Sequence, residues 1–205
     1  FEKEGFENVE VDLSNGVLRF PEGVLFASGE FEFEEGTETA LAVETLANAI
    51  AEVLPCSVLS DTGERYKARE LCAPDRTFYP NIYNAFVEGL YIEGHTDSVP
   101  VNRDYGLQGD AKLNSNLKLS ARRSANTYEK MIGQRPKILD FYGFSSNGRE
   151  TIAQPVIAVS AYGDQRPISE NATPVGQRAN RRIDVRLVMF QPTGYDALKV
   201  MLDRI

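Results

Sequence analysis

Between Thr37 and Leu54 the apolar residues Leu41, Val43, Leu46, Ala47, Ile50, Val53 and Leu54 recur mostly at three- and four-residue steps, the period of an amphipathic helix laid against a core. Thr37 stands where an N-cap belongs. Such a helix needs a surface on which to bury its stripe, and the flanking sequence offers strands. The first 35 residues alternate apolar and polar in short runs, Val17-Leu18-Arg19-Phe20 and Val24-Leu25-Phe26, punctuated by Asn15-Gly16, Pro21 and Gly23. Leu90-Tyr91-Ile92-Glu93-Gly94 reads as a buried strand stopped by a glycine, and Pro155 to Ser160 as another. In a last strand, Ile183 to Phe190, the residues Ile183, Val185, Leu187 and Met189 alternate against Asp184, Arg186 and Val188. A second helix is predicted from Ala121 to Ile132, with Ser120 as N-cap, Gly133 near its end and Ala121, Ala125, Tyr128 and Ile132 as its inner face. A short helix from Tyr195 to Ile205 closes the chain, and residues 81 to 90 read as a short helix or a turn. This order predicts an α+β fold, a mixed sheet with helices packed on one face.

With 205 residues, 42% hydrophobic and 25% charged, the chain has the makings of a real core. It shows no internal repeat and no linker-like segment, so one domain over 1–205 is expected, its core at 17–190 and an insertion at 55–80. No stretch approaches the roughly 18 to 20 uninterrupted apolar residues of a membrane span. The opening Phe1-Glu2-Lys3-Glu4 has neither the basic start nor the apolar middle of a signal peptide. An export signal or membrane anchor is expected upstream of Phe1. A net charge of −8 argues against nucleic acid as the ligand, since phosphate recognition needs a basic footprint. Cys56 and Cys72 fall in one irregular stretch broken by Pro55, Gly63, Pro74 and Pro80, as the ends of a clipped loop would. A disulfide there would contribute about 3 kcal/mol and persist in an oxidising compartment; the alternative is two unrelated thiols. With His95 as the single histidine, a four-ligand zinc site is not expected, nor any other metal or cofactor.

Polar side chains and unpaired amides converge at strand ends and helix starts, which singles out Gly94-His95-Thr96-Asp97 and Leu119-Ser120-Ala121-Arg122-Arg123. A carboxylate at a strand end and a guanidinium on a helix's first turn suit a zwitterion: Asp97 for an ammonium, Arg123 for a carboxylate gripped by two parallel hydrogen bonds. The plainer alternative is a turn-capping aspartate and a solvated arginine. His95 near Asp97 also resembles a general-base pair, but no nucleophile elbow and no HExxH spacing accompanies it, so no enzyme is expected. The acidic run from Glu30 to Glu38 reads as a solvated edge.

Three segments, Ile92-Glu93-Gly94-His95-Thr96-Asp97-Ser98-Val99-Pro100, Ser115-Asn116-Leu117-Lys118-Leu119-Ser120-Ala121-Arg122-Arg123-Ser124 and Asn180-Arg181-Arg182-Ile183, resemble in that order the OmpA-like peptidoglycan-binding family. The resemblance implies a β-α-β-α-β sheet and, as ligand, the diaminopimelate-containing stem peptide of the cell wall. Asp97 matches the ammonium contact and Arg123 the carboxylate contact. Thr96, Asn116 and Leu119 shape the pocket, and His95, Asn180, Arg181 and Arg182 buttress it. Pro100 and Ser115-Asn116 look more like the MotB-type stator branch than like free lipoproteins. That branch implies a periplasmic domain, a homodimer, an inner-membrane motor partner and a transmembrane helix upstream. The stretches 55–80, 98–115 and 142–154 are larger than a minimal member needs, which points to a specialised stator such as that of a Zorya anti-phage system.

Overall fold

The computed structural model describes residues 9–12, 14–26, 29–33, 36–67, 69–72, 85–101, 115–146, 151–192, 194–195 and 199. The strands are β1 (Glu10–Asp12), β2 (Val17–Pro21), β3 (Val87–His95), β4 (Tyr142–Ser146), β5 (Thr151–Pro155), β6 (Ile157–Gly163) and β7 (Arg182–Met189), and the helices are α1 (Glu38–Val53), α2 (Ser115–Gln134) and α3 (Pro174–Asn180). A five-stranded mixed sheet runs in the order β1-β2-β7-β3-β6, and β4 and β5 form a separate two-stranded sheet. The chain is therefore α+β, as its pattern predicts. Chain-end strands meet antiparallel, β2 pairing with β7 from Val17 opposite Arg186 to Pro21 opposite Arg182.

By contact the chain divides into two compact units. The first comprises Phe1–Leu46, Tyr91–Gly133 and Val159–Arg186, the second Ala47–Leu90, Gln134–Ala158 and Leu187–Ile205. In the second, Leu59, Phe86 and Phe144 form a buried cluster with Tyr142, Ala153 and Phe190 packed on it. Here Cys56 and Cys72 are joined by a disulfide, with Cα atoms 5.6 Å apart. Leu59 exchanges backbone hydrogen bonds with Tyr142 at 2.8 and 2.9 Å, so part of the 55–80 stretch pairs with the hairpin edge rather than looping free.

Helix α1 follows its period only in part. Val43, Leu46, Ala47 and Ile50 are buried, but Leu41 is 50% and Val53 41% exposed. Leu41 lies two residues, about 200° of helical turn, from Val43, and Ala40 takes the inner place instead. Thr37 caps as expected, its Oγ1 accepting from Ala40 N at 3.3 Å. Glu38–Cys56 is long and apolar enough to cross a membrane by composition (hydropathy 1.2), yet half of that window is buried, as in a core helix.

Helix α2 departs further. It begins at Ser115, so Ser120 is not its N-cap, and its buried residues are Asn116, Leu119, Ser120, Arg123, Ser124, Thr127 and Met131 rather than Ala121, Ala125, Tyr128 and Ile132. The spacing is helical, but the face is polar. Polar groups are tolerated there because they find partners: Ser124 Oγ donates to Ser120 O at 2.8 Å, and Thr127 Oγ1 to Arg123 O at 2.8 Å. Small side chains also let the helix press on β3. A Cβ on Gly94 would lie 2.3 Å from Ser120 O and 2.4 Å from Ser124 Oγ, so only glycine fits.

Strand β3 starts at Val87, earlier than predicted, and the 155–160 strand divides into β5, a break at Val156, and β6. Helix α3 and the β4–β5 hairpin were not predicted from sequence. Of the closing helix expected at Tyr195–Ile205, Tyr195 and Lys199 are described and helical; the rest of it and most of the 98–115 loop lie outside the described residues.

Candidate functional site

Strand β3 ends at His95, and Asp97 follows two residues later, 5% exposed. The segment is tied down by backbone: Thr96 N donates to Gly163 O at 2.8 Å, and Gly163 N donates to Ser120 Oγ at 3.0 Å. Gly163 has left-handed backbone, φ 56, and a Cβ there would sit 3.0 Å from Leu117 N. Asn116 Nδ2 donates to Asp97 O at 3.0 Å, which fixes the end of the strand segment to the first turn of α2. Asp97 Oδ1 accepts from Val99 N at 3.0 Å, the turn-capping role that the plainer reading proposed. Its other oxygen, Oδ2, accepts from Arg181 Nη1. Asp97 thus does both: one oxygen holds the turn and the other faces a cation.

Arg123 lies well inside α2, not on its first turn, so the free amides of the helix start do not act beside it as expected. It is nonetheless buried at 2% exposure rather than solvated. Nε donates to Glu30 O at 2.8 Å, Nη2 donates to Glu22 Oε1 at 3.4 Å, and the guanidinium lies 5.4 Å from the centre of the Phe26 ring. Asn126 Nδ2 donates to Phe31 O at 2.6 Å, so the start of the acidic run docks its backbone on α2 while Glu30, Glu32 and Glu38 are exposed, as a solvated edge would be.

Glu22 completes the arrangement. Its Oε2 accepts from Arg181 Nε, so Asp97, Arg181, Glu22 and Arg123 form one chain of alternating charges. Burial opposes the charge on Arg181, but the hydrogen bonds to Asp97 and Glu22 outweigh it and hold its pKa above the ordinary value. Four charges balance to zero in a site where solvent reaches Arg181 most, at 21% side-chain exposure. Thr96 Oγ1 is buried beside Asp97 without a hydrogen-bond partner among the described residues. Leu119 is buried at 3% and Asn116 at 2%. Sequence reasoning missed Glu22, which sits in the turn Pro21-Glu22-Gly23 and meets residues 101 and 159 positions away.

The supporting residues lie deeper. Asn180 Oδ1 accepts from Ile168 N at 2.8 Å and Ser169 N at 3.0 Å, and its Nδ2 donates to Ser169 O at 2.8 Å, which ties down the loop ahead of α3. Arg182 Nε donates to both oxygens of Asp184 at 3.1 Å. His95 Nε2 is 3.5 Å from Asp184 Oδ2, and its ring stacks on Tyr162 at 5.2 Å. Burial, with Arg182, Arg166, Arg186 and Arg19 nearby, lowers its pKa to about 3, so His95 is held as a neutral packed ring. Glu93, His95 and Asp184 present ligand atoms within 4.8 Å of one another, the geometry of a cation site. Their carboxylates are already matched: Arg186 pairs with Glu93 at 3.0 Å, and Arg182 and Arg19 approach Asp184 at 3.1 and 3.8 Å. With Arg186 on Glu93 and Arg182 on Asp184, each carboxylate has its own guanidinium, and no charge deficit is left for a divalent ion to fill.

No protein-family profile matches the chain. Over 161 residues, 77% of this chain, it is 27% identical to Motility protein B of Bacillus subtilis (strain 168), and the match spans 50% of that protein, about half its length. Among solved structures, the periplasmic domain of MotB aligns over 95% of this chain and 74% of its own, at TM-score 0.55 and 17% identity. The periplasmic domain of Helicobacter pylori MotB aligns over 95% and 88%, at 0.52 and 15%. The cell wall anchor of the T6SS from Pseudomonas aeruginosa aligns over 93% of each chain, at 0.52 and 17%.

Proposed function

We propose that this chain, whose fold is that of the MotB-type, OmpA-like domains, is a non-catalytic anchor that binds cell-wall peptidoglycan and holds a membrane stator complex in place. The ligand in this reading is the diaminopimelate of the stem peptide, whose side-chain end carries an ammonium and a carboxylate on one carbon. Asp97 takes the ammonium and Arg123 the carboxylate, with Thr96, Asn116 and Leu119 around them. The observation that carries the reading is a buried, charge-balanced set of two carboxylates and two guanidiniums at the end of β3 and the flank of α2. A zwitterion exchanges into such a set without leaving any charge unpaired. Wall anchoring by the solved T6SS protein on this fold, and the likeness to a motility protein, support the same reading.

A stator anchor also implies a periplasmic setting, an inner-membrane motor partner, and a homodimer in which two weak sites on one crosslinked wall gain by effective concentration. The Cys56–Cys72 disulfide suits that compartment. The large stretches at 55–80 and 142–154, which hold the disulfide and the β4–β5 hairpin, favour a specialised stator, with anti-phage defence as the proposed setting. The deciding test is retention of the purified chain on sacculi containing diaminopimelate. Wild type is retained, and Asp97→Ala and Arg123→Ala, each verified as folded, are not. Release of soluble fragments from the sacculi would replace the anchor with an enzyme.

A further inference from the structure

We infer that Glu22 is an internal stand-in for the ligand's carboxylate, so the site is filled by the protein itself and a stem peptide binds by displacing this side chain. The inference rests on the wall-anchor reading and adds a competitor to it. Glu22 directs Oε1 to Arg123 Nη2 at 3.4 Å and Oε2 to Arg181 Nε, spanning two guanidiniums as an incoming carboxylate would. A second carboxylate cannot share that place, because the two would repel in a pocket shielded from water. Space agrees with charge. The cavity lined by Glu22, Phe26, Arg123 and Arg181 has a volume of about 10 Å³, room for one water and not for a carboxylate-bearing carbon.

The turn that carries Glu22 fixes which part moves. Glu22 N donates to Arg181 O at 2.7 Å, Val24 N to Pro21 O at 3.1 Å, and Gly23 N to Phe26 O at 2.9 Å. Gly23 holds φ 93, a conformation that glycine adopts without strain. With the backbone pinned on both sides, opening is a rotation of the Glu22 side chain away from the two arginines. Arg181, the most exposed of the four charged groups, marks the side on which the site meets solvent. Once Glu22 has left, the set of Asp97, Arg123 and Arg181 carries one surplus positive charge; the ligand's carboxylate takes the place of Glu22 between the two guanidiniums and its ammonium turns to Asp97, and because the zwitterion is neutral overall the displaced Glu22 carboxylate remains the counter-charge of the set. Glu22 therefore lowers apparent affinity by the fraction of time it occupies the site, and its removal returns that factor.

The test compares wild type, Glu22→Gln and Glu22→Ala with Asp97→Ala in the full 205-residue chain, using two readouts: retention on sacculi and titration with a purified diaminopimelate-containing tripeptide. The glutamine variant keeps the shape of the turn, and thermal melting verifies that each variant is folded. Both Glu22 variants are expected to bind roughly tenfold more tightly than wild type, with Asp97→Ala added to either abolishing the gain. Binding by wild type that depends on Asp97 but is unchanged or weakened in both Glu22 variants overturns the stand-in and leaves the anchor standing. Absence of binding in wild type and in both folded Glu22 variants overturns the anchor as well. Absence in wild type with Asp97-dependent binding in both Glu22 variants supports the stand-in, the site being shut until Glu22 is removed, and overturns the retention expected of wild type.

Discussion

Two sets of opposite charges lie in the first unit, alike in composition and different in what they are attached to. One joins Glu93 and His95 of β3, Arg182, Asp184 and Arg186 of β7, and Arg19 of β2. These are neighbouring strands of one sheet, and the ladder register fixes every partner. The other joins Glu22 from a turn, Asp97 from a strand end, Arg123 from α2 and Arg181 from the loop before β7. Its members come from four separate segments, and none of its pairings is part of a strand ladder. The difference teaches that buried charge by itself does not mark a binding site; a site needs charges whose partners can be swapped.

Breaking the sheet-borne set should have the largest effect. Asp184→Asn leaves Arg182 buried against a neutral group and is expected to cost about 3 to 5 kcal/mol, measured by urea unfolding. Wall retention should then fall only with the folded fraction. A smaller effect comes from pH. The pKa of His95 is lowered from 6.5 to about 3 in the folded chain, so its contribution is complete above pH 6.5. Stability is lost as pH falls toward 3, because the unfolded chain takes up a proton that the folded chain refuses. Between pH 7 and 4 this amounts to about 3 kcal/mol, and a His95→Gln variant should show an unfolding free energy less steep in pH by that amount. The smallest stability effect belongs to the exchangeable set. Arg181→Gln leaves Glu22 and Asp97 with Arg123 as their one cation in the set and is expected to cost about 2 kcal/mol, less than Asp184→Asn because solvent reaches the site through Arg181, at 21% side-chain exposure. It should nonetheless change tripeptide affinity severalfold, because it removes one of the two groups holding Glu22. Equal stability losses in Asp184→Asn and Arg181→Gln would erase the distinction between the sets.

The same contrast governs what the sequence made legible. Helix α1 was readable because an apolar stripe carries its own period, and Val43, Leu46, Ala47 and Ile50 lie where that period puts them. Helix α2 was located but misread, because its buried face is Asn116, Ser120, Arg123, Ser124 and Thr127, residues whose burial depends on hydrogen bonds made across the fold. Hydropathy cannot report partners. Cys56 and Cys72 were paired correctly from the punctuation around them. The segments around Asp97, Arg123 and Asn180 were found through resemblance, with spacing alone too weak to separate a site from a capped turn. Glu22 had no local signal at all, since a carboxylate in a Pro-Glu-Gly turn looks like any solvated turn until Arg123 and Arg181 arrive from distant parts of the chain.

Gly94 turns the seam beneath the site into a barrier to evolutionary drift. The nearest obstacle to any larger residue there is the carbonyl of Ser120, which no substitution at position 120 removes, so the helix itself would have to be displaced in the same step. A lineage can retune the rim one residue at a time, Glu22 included. The seam offers no such gradual path.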